Sequence, residues 1–567
     1  MTPPAIVILG AGALDVARRV QACCPGAQVH GLAGRIDADV GYTELGAHLR
    51  ALYARGTPIV ALCAAGIVIR CVAPLLANKG VEPPVLAVAE DGSAVVPLLG
   101  GLAGVNVLAR SIAAALGVAP AITTSGELRF GTCVLNPPEG YALADLAHGK
   151  RFVSDLLAGE TTRIEGDAPW LDDAALPRDA SAQRAIRVTP FVDASPDALV
   201  IHPRSVVAAI AGGDDDGASA SVERQVLDAL DVHGVARLAL AALLAPAARC
   251  TDAALADAAQ ALGVPLRFID IDGDLRQLLT AALPAPHDVL HDEASMVALA
   301  IADAPLDVAT IGRPRGRVTV IGLGPGSADL LVPAAREALT DATDILGYAT
   351  YVNMAGPFRE NQRVHATDNR EELQRARHGF ELAAEGRAAV VVSSGDPGVF
   401  AMAAAVLEAL DASDDPRWAG VDLRIVPGVS AAMATAAQAG APLGHDFCVL
   451  SLSDNLKPWS IIERRLRHAA QADLVMAFYN PVSRARPWQL DTALDIVREY
   501  RTPATRVVLG RDIGRPGGTL KTTTLGELRS TDVDMRTMVI VGSSTTRGFA
   551  RGDGGEWIYT PRWYPSR

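Results

Sequence analysis

Apolar residues along this chain fall into short, nearly unbroken runs that end on glycine, proline, asparagine or aspartate. Runs of that kind, bounded by turn residues, read as strands buried on both faces, the kind that build parallel α/β sheets. AIVILG (5–10) predicts a buried strand, with a helix from about Ala13. IVALCAAGIVI (59–69) predicts a strand and then a helix, and VLAVAEDGSAVVPLLG (85–100) two short strands around the turn Asp91-Gly92. VNVLARSIAAALG (105–117) reads as a helix with Gly117 as its C-cap. Residues 1–130 therefore read as one α/β domain. Residues 131–195, broken by Pro137-Pro138, Pro169, Pro177 and Pro190, read as an irregular connecting region. After the loop GGDDDGASAS (212–221), helical patterns at 222–232 and 252–262 and the strand VPLRFIDI (264–271) predict a second small α/β domain over 196–303. Residues 304–316 read as a linker.

From Arg317 the same punctuation repeats more regularly. RVTVIGLGPGSADLL opens with a strand and a glycine-proline loop. AAVVVSSGDPGVF (388–400), DLRIVPGVSAAMATAAQAG (422–440), DLVMAFYNP (473–481), TRVVLGRDIG (505–514) and TMVIVGSST (537–545) follow, each an apolar strand delivering a polar or glycine-rich loop at its C-terminal end. Ligands of α/β sheets bind at that edge. Residues 317–567 are expected to form one domain of two lobes, about 317–425 and 426–567, so the fold class is multidomain α/β.

Composition narrows the function classes. Half of the 567 residues are hydrophobic and only 4% are aromatic, which suits layered α/β cores. The net charge of −13 is unevenly spread: the first 316 residues hold 23 Lys+Arg against 35 Asp+Glu, and residues 317–567 hold 28 against 29. An acidic first half argues against nucleic acid. The apolar runs Ile59–Ile69 and Leu238–Ala248 are far shorter than the ~20 residues that cross a bilayer. The N-terminus has no basic segment before its first strand, so no signal peptide is read. Seven scattered cysteines without a C-x-x-C fit a reducing cytoplasm and no metal site.

The loops carry the candidate chemistry. Gly322-Leu323-Gly324-Pro325-Gly326 is not a dinucleotide fingerprint, because Pro325 removes an N–H that a phosphate would need. It reads either as a plain turn or as a loop lining a flat ligand. In Ser394-Gly395-Asp396-Pro397-Gly398-Val399, glycines allow close main-chain approach, while Asp396 either accepts hydrogen bonds from a ligand or buttresses its own turn. Ser430, in Pro427-Gly428-Val429-Ser430-Ala431, is a natural helix N-cap. Phe478-Tyr479 can face a ring or pack beneath the sheet, and Thr522-Thr523-Thr524 can be simple strand residues.

The order GLGPG, SSGDPGVF, VPGVSA, LSLSDNLKPW, FYNPVSRAR, TTTL over about 250 residues resembles the tetrapyrrole (corrin/porphyrin) methylases. Asp446-Phe447, Ser451-Leu452-Ser453-Asp454, Pro458-Trp459 and Tyr479-Asn480-Pro481 resemble the precorrin-3B C(17)-methyltransferase subfamily. The resemblance implies two lobes with a cleft between them, S-adenosyl-L-methionine folded into that cleft, a tetrapyrrole substrate and a homodimer. By family position Gly395, Asp396, Pro397, Val399, Ser430, Ala431, Phe478, Tyr479 and Thr524 bind the cofactor. Gly324, Pro325 and Gly326 face the tetrapyrrole, whose carboxylates suit Arg484 and Arg486, with Arg511, Arg515 and Lys521 as further cations. The implied reaction is methylation at C-17 with ring contraction to precorrin-4, a step of cobalamin biosynthesis. Methyl transfer to an enamine carbon asks for orientation and water exclusion more than for a strong base. Contraction needs acid–base help, for which Asp329 and His445 are the candidates. Ser327 and Val332 depart from the family's usual Asp and Thr.

Residues 66–106 resemble cobalt-precorrin-5A hydrolase at Gly66-Ile67-Val68-Ile69-Arg70, Ala73-Pro74-Leu75-Leu76 and Lys79. That family's LLSGHLGGAN stands here as Leu98–Asn106 with Gly101 in place of the histidine, and its TTATD as Thr123-Thr124-Ser125-Gly126-Glu127. Losing the histidine removes the obvious acid–base group, so this half is expected to handle substrate or act as a scaffold. Two alternatives stand beside that reading. One is a bifunctional cobalt-factor III methyltransferase and cobalt-precorrin-5A hydrolase. The other is a carrier that holds tetrapyrroles without chemistry.

Overall fold

The structure is a computed structural model that describes residues 3–76, 82–210, 219–271, 273–283, 285–292, 295–368, 371–483 and 487–563. Lys79, Arg484 and Arg486 lie outside the described residues. The chain divides into two compact units, Met1–Gly312 and Arg313–Arg567. Among the described residues no helix is long and apolar enough to cross a membrane.

Among the described residues the first unit holds three sheets. The leading one has six strands in the order Val40–Tyr42, Gln28–Leu32, Ala5–Ile8, Ile59–Leu62, Val85–Val88, Val95–Leu99, all parallel except the last. Its unbroken apolar runs are explained by two cores. Ile6, Ile8, Val60, Leu62, Leu86 and Val88 fill one face with helices Leu14–Cys23 and Val105–Leu116. Ala5, Val7, Ile59, Ala61, Val85 and Ala87 fill the other with Leu45–Ala54 and Ala65–Val72. The two-residue period of a strand sends alternate side chains to opposite layers, and each fully buried Val, Leu or Ile contributes roughly 1.5–3 kcal/mol.

The region expected to be irregular forms a four-stranded sheet, Tyr141–Leu143, Ala198–Pro203, Ala185–Val188, Arg163–Glu165. Strand Ala198–Pro203, expected to open the next domain, pairs with Ala185–Val188 and Tyr141–Leu143. The third sheet therefore begins at Val206, with the order Leu266–Ile269, Leu240–Pro246, Val206–Ile210, Val297–Ala302, His287–His291.

The second unit has two principal sheets. The first is wholly parallel, in the order Arg363–Thr367, Asp344–Tyr348, Ala388–Ser393, Arg317–Gly322, Asp422–Val426. At its N-terminal edge Asp344, fully buried, takes two bonds from Arg387 at 2.5 and 2.7 Å and one contact with His365 at 2.8 Å. Burial alone would raise the Asp344 carboxyl, yet these donors and Thr343 hold it below its ordinary value. The second sheet is mixed: Phe447–Ser451, Val475–Tyr479, Thr537–Val541, Arg506–Arg511, Thr519–Thr524. The small-residue helix Ala431–Ala439 joins the two and lies on the second sheet, where a Cβ added at Gly510 would stand 2.4 Å from Thr435 Oγ1.

Candidate active site

Three adjacent strands of the first lobe, Ala388–Ser393, Arg317–Gly322 and Asp422–Val426, end side by side. Their loops meet main chain to main chain. Gly324 and Gly395 exchange both backbone bonds, at 3.1 and 2.8 Å. A Cβ at Gly322 would stand 2.3 Å from the Gly395 carbonyl and 2.9 Å from Gly428 Cα, and one at Gly428 would stand 2.2 Å from the same carbonyl. No other residue fits at either place. Asp396 ties the assembly together: Gly398 N–H donates to Oδ1 at 2.8 Å and Gly428 N–H to Oδ2 at 3.0 Å. Asp396 thus buttresses its own turn and the neighbouring loop. Ser430 accepts from Met433 N–H at 3.3 Å and caps helix Ala431–Ala439.

The second lobe brings Tyr479 to these loops. Its hydroxyl oxygen accepts from Ala432 N–H at 3.2 Å, and its ring meets Phe400 edge-on at 5.3 Å. Gly395, Asp396, Pro397, Val399, Ser430, Ala431 and Tyr479 are thus one continuous group. Asn480, beyond Tyr479, donates to Ser451 Oγ at 3.1 Å and joins the ends of the paired strands.

Three expected residues stand elsewhere. Phe478 points to the opposite face from Tyr479, fully buried in the core with Leu466 and Leu494, because neighbouring strand residues alternate. Thr524 pairs with Arg506, the first residue of its strand, while Thr519 pairs with Arg511 at the far end. The antiparallel hairpin therefore carries Thr519 toward the edge that bears Tyr479 and carries Thr524 away from it. His445 precedes strand Phe447–Ser451, whose other end, Ser451, pairs with Tyr479. At ~3.3 Å per residue it lies most of a strand length from Tyr479. There its Nδ1 accepts from Asp446 N–H at 2.7 Å.

The GLGPG loop interlocks with the loop after strand Arg506–Arg511. Arg515 Nε donates to the Pro325 carbonyl at 3.2 Å, and its side chain covers Gly326, where a Cβ would stand 2.8 Å from Arg515 Cγ. Pro325 is buried against Gly514, so part of this loop faces the second lobe. Asp329 is exposed, one residue before Leu330, whose carbonyl abuts Gly324. The further cations already have partners: Arg511 with Asp534 at 2.9 Å and Asp512 at 3.3 Å, and Lys521 with Asp532 at 3.6 Å. Asp534 is held low by Thr537 and Arg511 against the effect of its burial.

Several residues at this edge escaped the sequence reading. Tyr348 and Tyr351 meet edge-on at 5.3 Å at the end of strand Asp344–Tyr348, and burial pushes the Tyr351 phenol up despite the nearby Arg515. Arg375, only 3% exposed, donates to Thr367 Oγ1 at 2.6 and 2.9 Å and to the Asp368 carbonyl at 2.7 Å, and burial lowers its pKa. The aromatic residues after the run DILG were the available signal; nothing in the sequence marks Arg375.

The model of the Tetrapyrrole (Corrin/Porphyrin) Methylases matches residues 317–529. A Sinorhizobium protein named precorrin-3B C(17)-methyltransferase is 49% identical over 249 residues, 44% of this chain and 97% of that protein. The chain belongs to the tetrapyrrole methylase family. The methylase unit is also similar to the cobalt-factor III methyltransferase of Priestia megaterium, 40% identical over 250 residues, 44% of this chain and 45% of that protein. The crystal structure of the methyltransferase CobJ is 52% identical, with a TM-score of 0.41, and covers 43% of this chain and all of that one (100%). In the other unit, the model Cobalamin synthesis G N-terminal matches residues 47–127.

Polar residues of that matched region meet in space. Asn106 donates to Glu127 at 2.7 Å and to Thr124 at 3.0 Å, and Arg110 donates to the other Glu127 oxygen at 2.6 Å. Asn106 and Glu127 are each 4% exposed. Gly101 is exposed, and a Cβ added there would meet nothing within 4 Å.

Proposed function

We propose that residues 317–567 transfer a methyl group from S-adenosyl-L-methionine to C-17 of precorrin-3B, with ring contraction to precorrin-4, in cobalamin biosynthesis. The observation that carries this reading is the set of glycine loops, 322–326, 394–400 and 427–431, packed main chain to main chain beside Tyr479. The group fits the cofactor: main-chain amides and carbonyls, a serine, a tyrosine and apolar side chains suit an adenosine and a thioether, and segments 394–400 and 427–431 carry no cationic side chain of their own. When bound, S-adenosylmethionine supplies an electrophilic methyl group.

The protein's part is placement. Asp396 fixes the 394–400 loop on the 427–431 loop, Tyr479 locks the start of the helix after Ser430, and the glycine contacts bring the loops together with no side chain between them. Such orientation is worth several orders of magnitude in rate. Gly324, Pro325 and Gly326 are proposed to border the tetrapyrrole, with Arg484 and Arg486 pairing its carboxylates and a second copy of the chain completing a homodimer. Of the acid–base candidates we retain Asp329, which stands beside the Gly324 loop. Incubation with precorrin-3B and methyl-labelled cofactor, followed by the product mass, tests the reading. A labelled, ring-contracted product is expected, and an unmodified tetrapyrrole overturns it.

A second reading, cobalt-factor III methylation joined to cobalt-precorrin-5A hydrolysis, is favoured by the Asn106–Thr124–Glu127 cluster in the region that matches the hydrolase-related model. Glu127 is engaged by Asn106 and Arg110, and Gly101 offers no acid or base, so we place the first unit in substrate handling. Turnover of cobalt-precorrin-5A by the full chain would reverse that assignment.

A further inference from the structure

Phe400 combines three features that its own fold does not explain. It follows the SGDPGV loop with φ of 54°, a left-handed conformation that is a true outlier for a bulky side chain. Its side chain is not recompensed by burial, since the residue is 53% exposed. And it stands where the two lobes of the methylase unit meet, its ring plane at 61° to that of Tyr479 and the centroids 5.3 Å apart. Tyr479 is itself fixed through Ala432 N–H, so the tilted contact sets the attitude of Phe400 and leaves ring surface free. Strained backbone is retained where the surroundings over-determine it, and such positions gather at ligand clamps. Asn480 and Asp512, with φ of 52° and 50°, follow two other strands of this unit; both residue types tolerate that region, whereas phenylalanine does not.

We propose that Phe400 is a substrate-contact residue, a platform on which a flat conjugated stretch of the tetrapyrrole macrocycle rests beside the cofactor loop. The inference builds on the methyltransferase reading and adds the residue that sets the height and tilt of the substrate. An exposed aromatic ring gains most from a flat π-system, and offset stacking is its preferred geometry. One side of the ring meets Tyr479 of the cofactor group, and the exposed remainder is the surface offered to the macrocycle.

The test uses the full chain and three variants. Phe400→Gly removes the ring and relieves the backbone, Phe400→Leu keeps apolar bulk without a flat face, and Phe400→Tyr keeps the ring. Two bindings are measured: S-adenosylhomocysteine by calorimetry, and uroporphyrin I, a planar polycarboxylated tetrapyrrole, by fluorescence quenching. KM and kcat for precorrin-3B are measured alongside. For Phe400→Gly the expected result is about tenfold weaker uroporphyrin binding and a similarly raised KM, with S-adenosylhomocysteine affinity and melting temperature not reduced. Phe400→Leu should fall between, and Phe400→Tyr should match the native chain. Unchanged tetrapyrrole affinity in Phe400→Gly, an equal loss of affinity for both ligands, or no uroporphyrin binding by the native chain overturns the platform. Ring-dependent uroporphyrin binding in a chain that methylates nothing supports the platform while overturning the reaction proposed above.

Discussion

The methylase unit and the first domain of the other unit each retain the motifs of a family, but they retain different kinds of residue. In the methylase unit Gly322, Gly395 and Gly428 stand in contacts too close for any side chain, and the one carboxylate among them, Asp396, serves the loops. In the first domain the polar residues Asn106, Arg110, Thr124 and Glu127 bond to one another, while the position that has lost its histidine, Gly101, opens onto empty space. A site made of main chain is guarded by the same packing that holds the fold. A site that depends on a projecting side chain can lose that group at no cost to the fold.

That contrast can be broken at both ends. The largest effect is expected from Gly322→Ala. Its Cβ meets immovable backbone, so methyl transfer should fall about 100-fold or more, with about 1–3 kcal/mol of stability lost. A variant with native kcat/KM would show that the glycine contacts are incidental. Next comes acid sensitivity in the first domain. Burial, and then the neighbouring His48, lower the pKa of His30 from 6.5 to about 4. Between those values the unfolded chain binds a proton that the folded one refuses, so stability is complete above pH 6.5 and falls as pH drops toward 4, by about 3 kcal/mol in all. Hydrogen exchange in strand Gln28–Leu32 should accelerate over that window, and His30→Gln should flatten the response. Glu127→Gln is expected to cost about 2 kcal/mol, because an amide group then faces Asn106 or Arg110 in a buried place; denaturant midpoints measure it. The smallest effect belongs to Gly101→Ala, within ~0.5 kcal/mol of native stability, and a larger change would mean that the open position is structural.

The same contrast governs what could be read from sequence. Buried parallel strands such as Ala5–Ile8 and Ala388–Ser393 announce themselves as apolar runs ending in turn residues, and so do the loops they deliver. Tyr141–Leu143 and Arg163–Glu165, three residues each, are too short to show a period, and the middle sheet went unseen. The position of Thr524 was not legible because an apolar pattern carries no strand direction, nor that of Phe478, because recognising a motif does not say which of two neighbours faces the cleft. Phe400 was legible as a residue but not as a conformation, since its sign is a backbone angle.

The main-chain packing of segments 322–326, 394–400 and 427–431 also decides which chemical tools can reach this enzyme. These segments contain no cysteine, lysine or histidine, so reagents that capture thiols, amines or imidazoles have nothing to anchor to along the loops. A selective inhibitor must instead copy a contour: the spacing of amides and carbonyls and the narrow clearance over three glycines.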